Sequence, residues 1–302
     1  MKDIMFPDEI DVFLQNHWPD DLFVRPAHLE RAEKLLEIPE IGDLDALLES
    51  FDAPISLRRP EGRADRVNGS AAAKAAYDEG ATLYFRKVED FVPALKELLA
   101  EVAETLGLLP TLMSIEVFAS NGPSGVAMHA DYDVNFQLLL RGEKTWRIAP
   151  NTHVRNPTEM CLPATHPVFD AFQLEIADRT PFPTEMPQDA MCLEMTAGSL
   201  IFVPCGWWHS TQAKGECFAV NVVCKGPRMA DVLAEGLRRW LLRDPTWREY
   251  ASGNFGNGCQ LAGPPASRRF DVLLARLTTA LSAKDPVEFA DTLIKEFKAI
   301  NS

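Results

Sequence analysis

The 302-residue chain has no apolar run approaching the roughly 20 residues that span a bilayer, so no helical membrane anchor is expected. Its first residues, MKDIMFPDEIDVF, lack a basic segment followed by an apolar one, which argues against a secretory leader. Cysteine is sparse: Cys161, Cys192, Cys205, Cys217, Cys224 and Cys259 include no C-x-x-C pair. That spacing argues against a zinc ribbon or a thioredoxin-like site, and reduced thiols in a cytoplasmic protein are the simple reading. Basic residues are outnumbered, 30 Lys and Arg against 44 Asp and Glu, giving a formal charge of −14. Counterion release from nucleic-acid phosphate needs a basic face, so a nucleic-acid partner is not expected; the balance is compatible with a basic peptide. No internal repeat or low-complexity run is present. What remains is 46% hydrophobic and 25% charged residues, the balance of a chain that buries a core as one large domain or two modest ones.

Residues 1–60 mix short helical patterns with prolines at 7, 19, 26, 39, 54 and 60, and read as short elements and loops. The stretch SAAAKAAY (70–77) is a helix of high propensity with Ser70 as its N-cap, and ATLYFRKV (81–88) is a strand. Asp90 then caps a helix whose Phe91, Leu95, Leu98, Leu99, Val102 and Leu106 recur at three and four, up to Gly107. From about 111 to 224 the period shortens. LMSIEVFA, VNFQLLL, TWRIAP, SLIFVP and CFAVNVV are separated by turn clusters, the pattern of a sandwich or barrel. Residues 150–190, rich in Pro, Thr and Asp, read as a long loop. After Pro227 three amphipathic stretches follow: MADVLAEGLRRWLLR, FDVLLARLTTALSA and PVEFADTLIKEFKAI. They suit packing on the barrel or a homodimer interface. The expected division is a helical and mixed segment over 1–110 packing on the barrel, a β core over 111–225, and a helical region over 226–302.

Within the β-rich block, His129 and Asp131 form an H-x-D at the opening of a strand, after a Gly-containing turn. Residues two apart on a strand share a face, so one imidazole and one carboxylate project together. His209, 80 positions on, follows the strand SLIFV and a Pro-Cys-Gly turn. Two histidines and one carboxylate on one side of a metal leave the opposite positions open, which is the facial triad of non-haem iron oxygenases. The bland alternative is that these are satisfied, partly buried histidines near strand ends.

The words HADYDVNFQLLLRGEKTWRI and GSLIFVPCGWWHS, with the lead-in ATLYFRKVEDFVPALKELLAEVAETLG, resemble the JmjC-type (cupin-like) 2-oxoglutarate oxygenases over roughly 80–225. The likeness is greatest to the branch of the ribosomal oxygenases and the asparaginyl hydroxylase of hypoxia-inducible factor. The fold implied is a mainly β one, a double-stranded β-helix (jelly-roll or cupin core) with helical flanks. The resemblance implies Fe(II) on His129, Asp131 and His209, with 2-oxoglutarate and O2 as cosubstrates. It puts Lys144 at the distal carboxylate of 2-oxoglutarate, where a dicarboxylate in a barrel needs a fixed cation. Arg141 and Arg147 are the other cations of that turn, and strand parity points Arg147 away from Lys144 and Trp146. Asn135 and Asn221 match asparagines near the cosubstrate, although either could serve the sheet backbone instead. Asp133 falls to a supporting role, and Trp207 and Trp208 to packing that orients His209. Ser114 is a possible further cosubstrate contact, and Val126 replaces a threonine of the asparaginyl hydroxylase. His17, His28, His153 and His166 match no motif.

The function implied is an Fe(II)- and 2-oxoglutarate-dependent hydroxylase of a protein or peptide side chain, releasing succinate and CO2. Alternatives are a hydroxylase of a free or carrier-bound amino acid or other small metabolite, and a non-catalytic cupin-fold binding protein. The absence of any H-x-H counts against a cupin enzyme that works without a cosubstrate.

Overall fold

The computed structural model describes residues 10–59, 64–166, 171–250 and 266–301. Two compact units meet in sequence at Gly226 and Pro227. The first is built on two antiparallel sheets. The eight-stranded sheet runs β1 (Phe23–Arg25), β10 (Leu200–Val203), β7 (Val134–Arg141), β12 (Glu216–Cys224), β5 (Met113–Asn121), β4 (Thr82–Arg86), β2 (Ile55–Arg58) and β3 (Ala64–Val67). The four-stranded sheet runs β6 (Ser124–Ala130), β11 (Trp208–Ala213), β8 (Glu143–Ala149) and β9 (Met191–Thr196). The interleaved strand order is that of the jelly roll expected from the sequence.

Period-two alternation decides which face of the larger sheet meets what. Leu57, Leu83, Phe85, Ile115, Val117, Val220 and Val222 lie on one face, each essentially inaccessible to solvent, in a core shared with the helix Pro93–Leu106. That helix contributes Leu95, Leu98, Leu99, Val102 and Leu106, the periodic positions read from the sequence. Each such side chain stabilises the fold by about 1.5–3 kcal/mol on burial. The alternate positions, Tyr84, Glu116, Phe118 and Asn221 among them, turn to a cavity between the sheets.

Several local expectations are corrected. The helix at 70 spans Ser70–Asp78, but Gly69, at φ +84°, holds the cap position and no side chain caps it. Asp90 ends a one-turn 3-10 helix, Val88–Asp90, and the long helix starts afresh at Pro93. Proline fits that first turn, where its missing N–H has no intrahelical partner to lose. The strands β1, β2, β3, β6, β9 and β11 were not among the β runs read from the sequence. Among its described residues the 150–190 segment holds little regular structure beyond the short helix Ala171–Glu175. The second unit contains the helices Met229–Leu241, Ala266–Ser282 and Pro286–Asn301. Within it Gly236 lies against the Leu293 backbone, where a Cβ would come within 2.6 Å of the carbonyl oxygen. Among the described residues no helix is long and apolar enough to cross a membrane.

Candidate metal centre and its cavity

His129 is the penultimate residue of β6, and Asp131 stands just past that strand's end. The H-x-D therefore closes one strand instead of opening the next, and the chain bends at 131–133 before β7 begins. His209, second residue of β11, is the direct cross-strand partner of His129, and their ring centroids are 4.2 Å apart. Asp131 reaches both: its Oδ1 is 3.7 Å from His129 Nε2 and its Oδ2 3.6 Å from His209 Nε2. One ligand atom from each of the three residues lies within 4.8 Å of the other two.

The tautomers follow from the backbone. His129 Nδ1 is 2.8 Å from the Ala127 carbonyl and His209 Nδ1 2.9 Å from that of Trp207. A carbonyl only accepts, so each Nδ1 carries the proton and donates it. The remaining ring position, Nε2, is then the one that can offer a lone pair, and the two Nε2 atoms share a space with the Asp131 carboxyl group. Burial, and next the neighbouring His129, push the His209 pKa down to about 4, so its ring is neutral at ordinary pH. Trp208, 1% exposed, packs with Ala130, Val154 and Phe182 and so anchors the strand beside His209. The bulge in the β6–β11 pairing falls between His209 and Thr211. At the neighbouring Gly125, a Cβ would come within 2.4 Å of the Thr211 carbonyl oxygen, so only glycine lets the two strands approach there.

The cavity holds about 330 Å³. Lys144 lines it, buried with its Nζ 5.5 and 5.3 Å from the centroids of the Phe118 and Trp146 rings. Lys144 Nζ donates to Gln137 Oε1 at 2.8 Å. Burial pushes its ammonium pKa down to about 8. Arg147 lies on the opposite, exposed face of β8, as parity requires. Arg141 is spent elsewhere, its guanidinium bonded to the Gly42 carbonyl.

Asn135 and Asn221 join a polar chain that ends on the triad. Asn135 Nδ2 donates to Asp131 Oδ2 at 3.4 Å, and Asn221 Nδ2 donates to Asn135 Oδ1 at 3.0 Å and to Glu116 Oε2 at 3.3 Å. The Tyr84 hydroxyl donates to the other Glu116 oxygen. Burial raises the Glu116 pKa, and burial together with the Glu116 charge raises that of Tyr84, which stays a phenol. Tyr84, Glu116 and Gln137 were missed from the sequence. The available signal was parity: Tyr84 and Glu116 alternate with the apolar Leu83 and Phe85 and with Ile115 and Val117. Ser114 is not among the residues lining the cavity, whereas Glu116 and Ser120 of the same strand are, together with Asp133 and Val126. Of the unmatched histidines, His17 stacks near Phe13 and Phe23 and His153 meets Phe182 edge-on; none joins the triad.

Residues 56–223 match the family model described as "Cupin-like domain", and the chain belongs to that family. The JmjC-type, cupin-like resemblance read from the sequence is thus borne out. Over 259 residues the chain is 27% identical to the uncharacterized protein YxbC of Bacillus subtilis (strain 168), covering 83% of this chain and 78% of that one. It is 21% identical over 154 residues to the human bifunctional peptidase and (3S)-lysyl hydroxylase JMJD7, covering 45% of this chain and 48% of that protein. Among solved structures, YcfD, a ribosomal oxygenase from Escherichia coli in complex with cobalt and succinic acid, superposes with a TM-score of 0.53 at 15% identity. That match covers 97% of this chain and 70% of the other. The YcfD complex with cobalt and 2-oxoglutarate gives 0.52 at 15% identity, covering 88% and 66%. At such identity the likeness is one of fold.

Proposed function

We propose that the chain is an Fe(II)- and 2-oxoglutarate-dependent oxygenase that hydroxylates a protein or peptide side chain, with release of succinate and CO2. The observation that carries this reading is the convergence of two Nε2 lone pairs and one carboxylate on a common space, with both Nδ1 protons tied to carbonyls. Nitrogen and oxygen donors in this two-to-one ratio suit Fe(II) and leave other coordination positions to smaller ligands. Bound there, the metal supplies the activation of O2 coupled to oxidative decarboxylation of 2-oxoglutarate. YcfD in its cobalt and 2-oxoglutarate complex and JMJD7, named a lysyl hydroxylase, support the same assignment by analogy.

In this reading His129, Asp131 and His209 hold the metal. Asn135 keeps the Asp131 carboxylate oriented through its amide, and Asn221 holds Asn135 in turn. Lys144 takes the distal carboxylate of 2-oxoglutarate, with the Gln137 carbonyl oxygen holding its ammonium before the cosubstrate arrives. Phe118 and Trp146 exclude water around that ion pair and so strengthen it. The β core carries the chemistry, and we assign the helical region after 226 to homodimer formation, since Leu233, Val272 and Val287 stand exposed there.

The test is anaerobic titration of the full chain with Fe(II) and 2-oxoglutarate. A visible metal-to-ligand charge-transfer band is expected, and in air succinate should form with a one-oxygen mass gain on a peptide substrate. No band and no succinate would refute the oxygenase assignment.

A further inference from the structure

Strand β6 is the outer strand of the four-stranded sheet, and it leads directly to His129. On its unpaired side Ala130 exchanges two backbone hydrogen bonds with Cys161, at 2.9 and 2.8 Å. Before that point no backbone group of Ser124, Gly125, Val126 or Met128 bonds to anything on that side among the described residues. Gly125, Val126 and Ala127 are exposed. A row of unpaired N–H and C=O groups is a template for a further strand, and proteins ordinarily blunt such edges with charge, proline or a covering loop. None of these small residues does so here.

The edge borders a groove of about 490 Å³ that shares Arg58, Val126 and Thr211 with the metal cavity. Its charge opposes that of the molecule. Three arginines, Arg58, Arg59 and Arg147, line it with no Asp or Glu, in a chain of formal charge −14. Arg59 is neutralised by Asp65 and Glu79, each at 3.3 Å. Arg147 reaches only the Pro187 carbonyl, at 3.5 Å, and among the described residues neither Arg147 nor Arg58 pairs with a carboxylate.

We infer that the prime substrate is an extended, acidic polypeptide segment that adds to the free edge of β6 as a further strand, with a carboxylate meeting Arg58, which lines both the groove and the metal cavity. This rests on the oxygenase reading and deepens it by naming the substrate class. Backbone pairing supplies affinity without sequence demands, and alternate side chains of the added strand point to opposite faces. One set passes Arg58 into the cavity toward the triad while the other turns away from it.

The experiment is selection from a phage-displayed random-peptide library on the full chain loaded with Mn(II) and 2-oxoglutarate. Enriched peptides are expected to carry Asp or Glu at a fixed position and to slow amide exchange over residues 124–128. Arg58→Glu should weaken those peptides at least about tenfold and turn the selection toward Lys and Arg. N-methylation of alternate backbone amides of an enriched peptide should abolish binding in one register and spare it in the other. Failure to enrich peptides, an unchanged selection by the charge-reversed protein, or protection that leaves 124–128 untouched would overturn the inference. The Fe(II)–2-oxoglutarate band separates the two readings. Band without peptides removes only the docking strand, and peptides without band remove only the oxygenase.

Discussion

On the helix-packed face of the eight-stranded sheet, Leu83, Val117 and Val220 are within 1% of complete burial and belong to the apolar core. One residue along the same three strands, Tyr84, Glu116 and Asn221 turn the other way and form a hydrogen-bonded row leading to Asp131. The two faces differ by a single step of a period-two chain, yet they store stability differently. The apolar face gains from area and packing density, and tolerates any shape-matched hydrophobe. The polar face gains little net free energy per bond and loses much when one partner is removed, because the other is left buried and unpaired. Substitutions on the first face should therefore be read in stability, and those on the second in function.

The sharpest way to separate the faces is Asp131→Ala. Turnover should fall beyond the roughly 10–100-fold that loss of an outer partner of a metal ligand costs, while the thermal midpoint stays close to wild type. Succinate release and differential scanning fluorimetry on the same preparation check both halves, and retained turnover would remove Asp131 from the ligand set. Phe85→Ala is the mirror experiment. Phe85 is fully buried and meets the Phe51 ring edge-on at 5.1 Å. Its loss should cost about 3–5 kcal/mol in urea unfolding while the folded fraction still gives the charge-transfer band.

Lys144→Ala, on the cavity face, should raise the 2-oxoglutarate requirement about a hundredfold, on the order of 3 kcal/mol, and leave the Fe(II) requirement near wild type. The Lys144 pKa carries a pH signature as well. With that pKa lowered to about 8, the ammonium is present below about pH 8 and lost above it. Binding of 2-oxoglutarate should therefore weaken as pH rises through about 8, and Lys144→Arg should flatten that profile because a guanidinium stays charged. An unchanged profile would move the anchoring cation elsewhere. Tyr84→Phe leaves Glu116 one donor short and should cost about 1–2 kcal/mol of stability, read by chemical denaturation. The smallest effect belongs to Ser70→Ala, expected within about 0.5 kcal/mol, since Ser70 makes no cap bond.

The helix from Pro93 and the strands β5, β7 and β12 were legible because their apolar periods are long and uninterrupted. β6 was not. Its SGVAMHA is small, partly exposed and bulged, so alternation gives no signal, and the strand exists because β11 pairs with it. The same gap made the H-x-D look like a strand opening. The capping of both helices was misread for a local reason. Ser70 and Asp90 are good cap residues by type, but Gly69 at positive φ and Pro93 in the first turn decide where those helices start.

The sequence by itself determined the donor chemistry: one H-x-D, a distal histidine, a lysine after a tight turn and two asparagines on β strands. Those residue types limit what can be bound whatever the detailed path of the chain. Only the tertiary structure decided which partner each atom has. It tied both Nδ1 protons to carbonyls, turned Arg141 to the Gly42 carbonyl while Lys144 lines the cavity, and brought Glu116 and Tyr84 into the row behind Asp131. Hydrogen bonds act over about 3 Å, and no pattern along one strand encodes what its neighbours in a sheet will be.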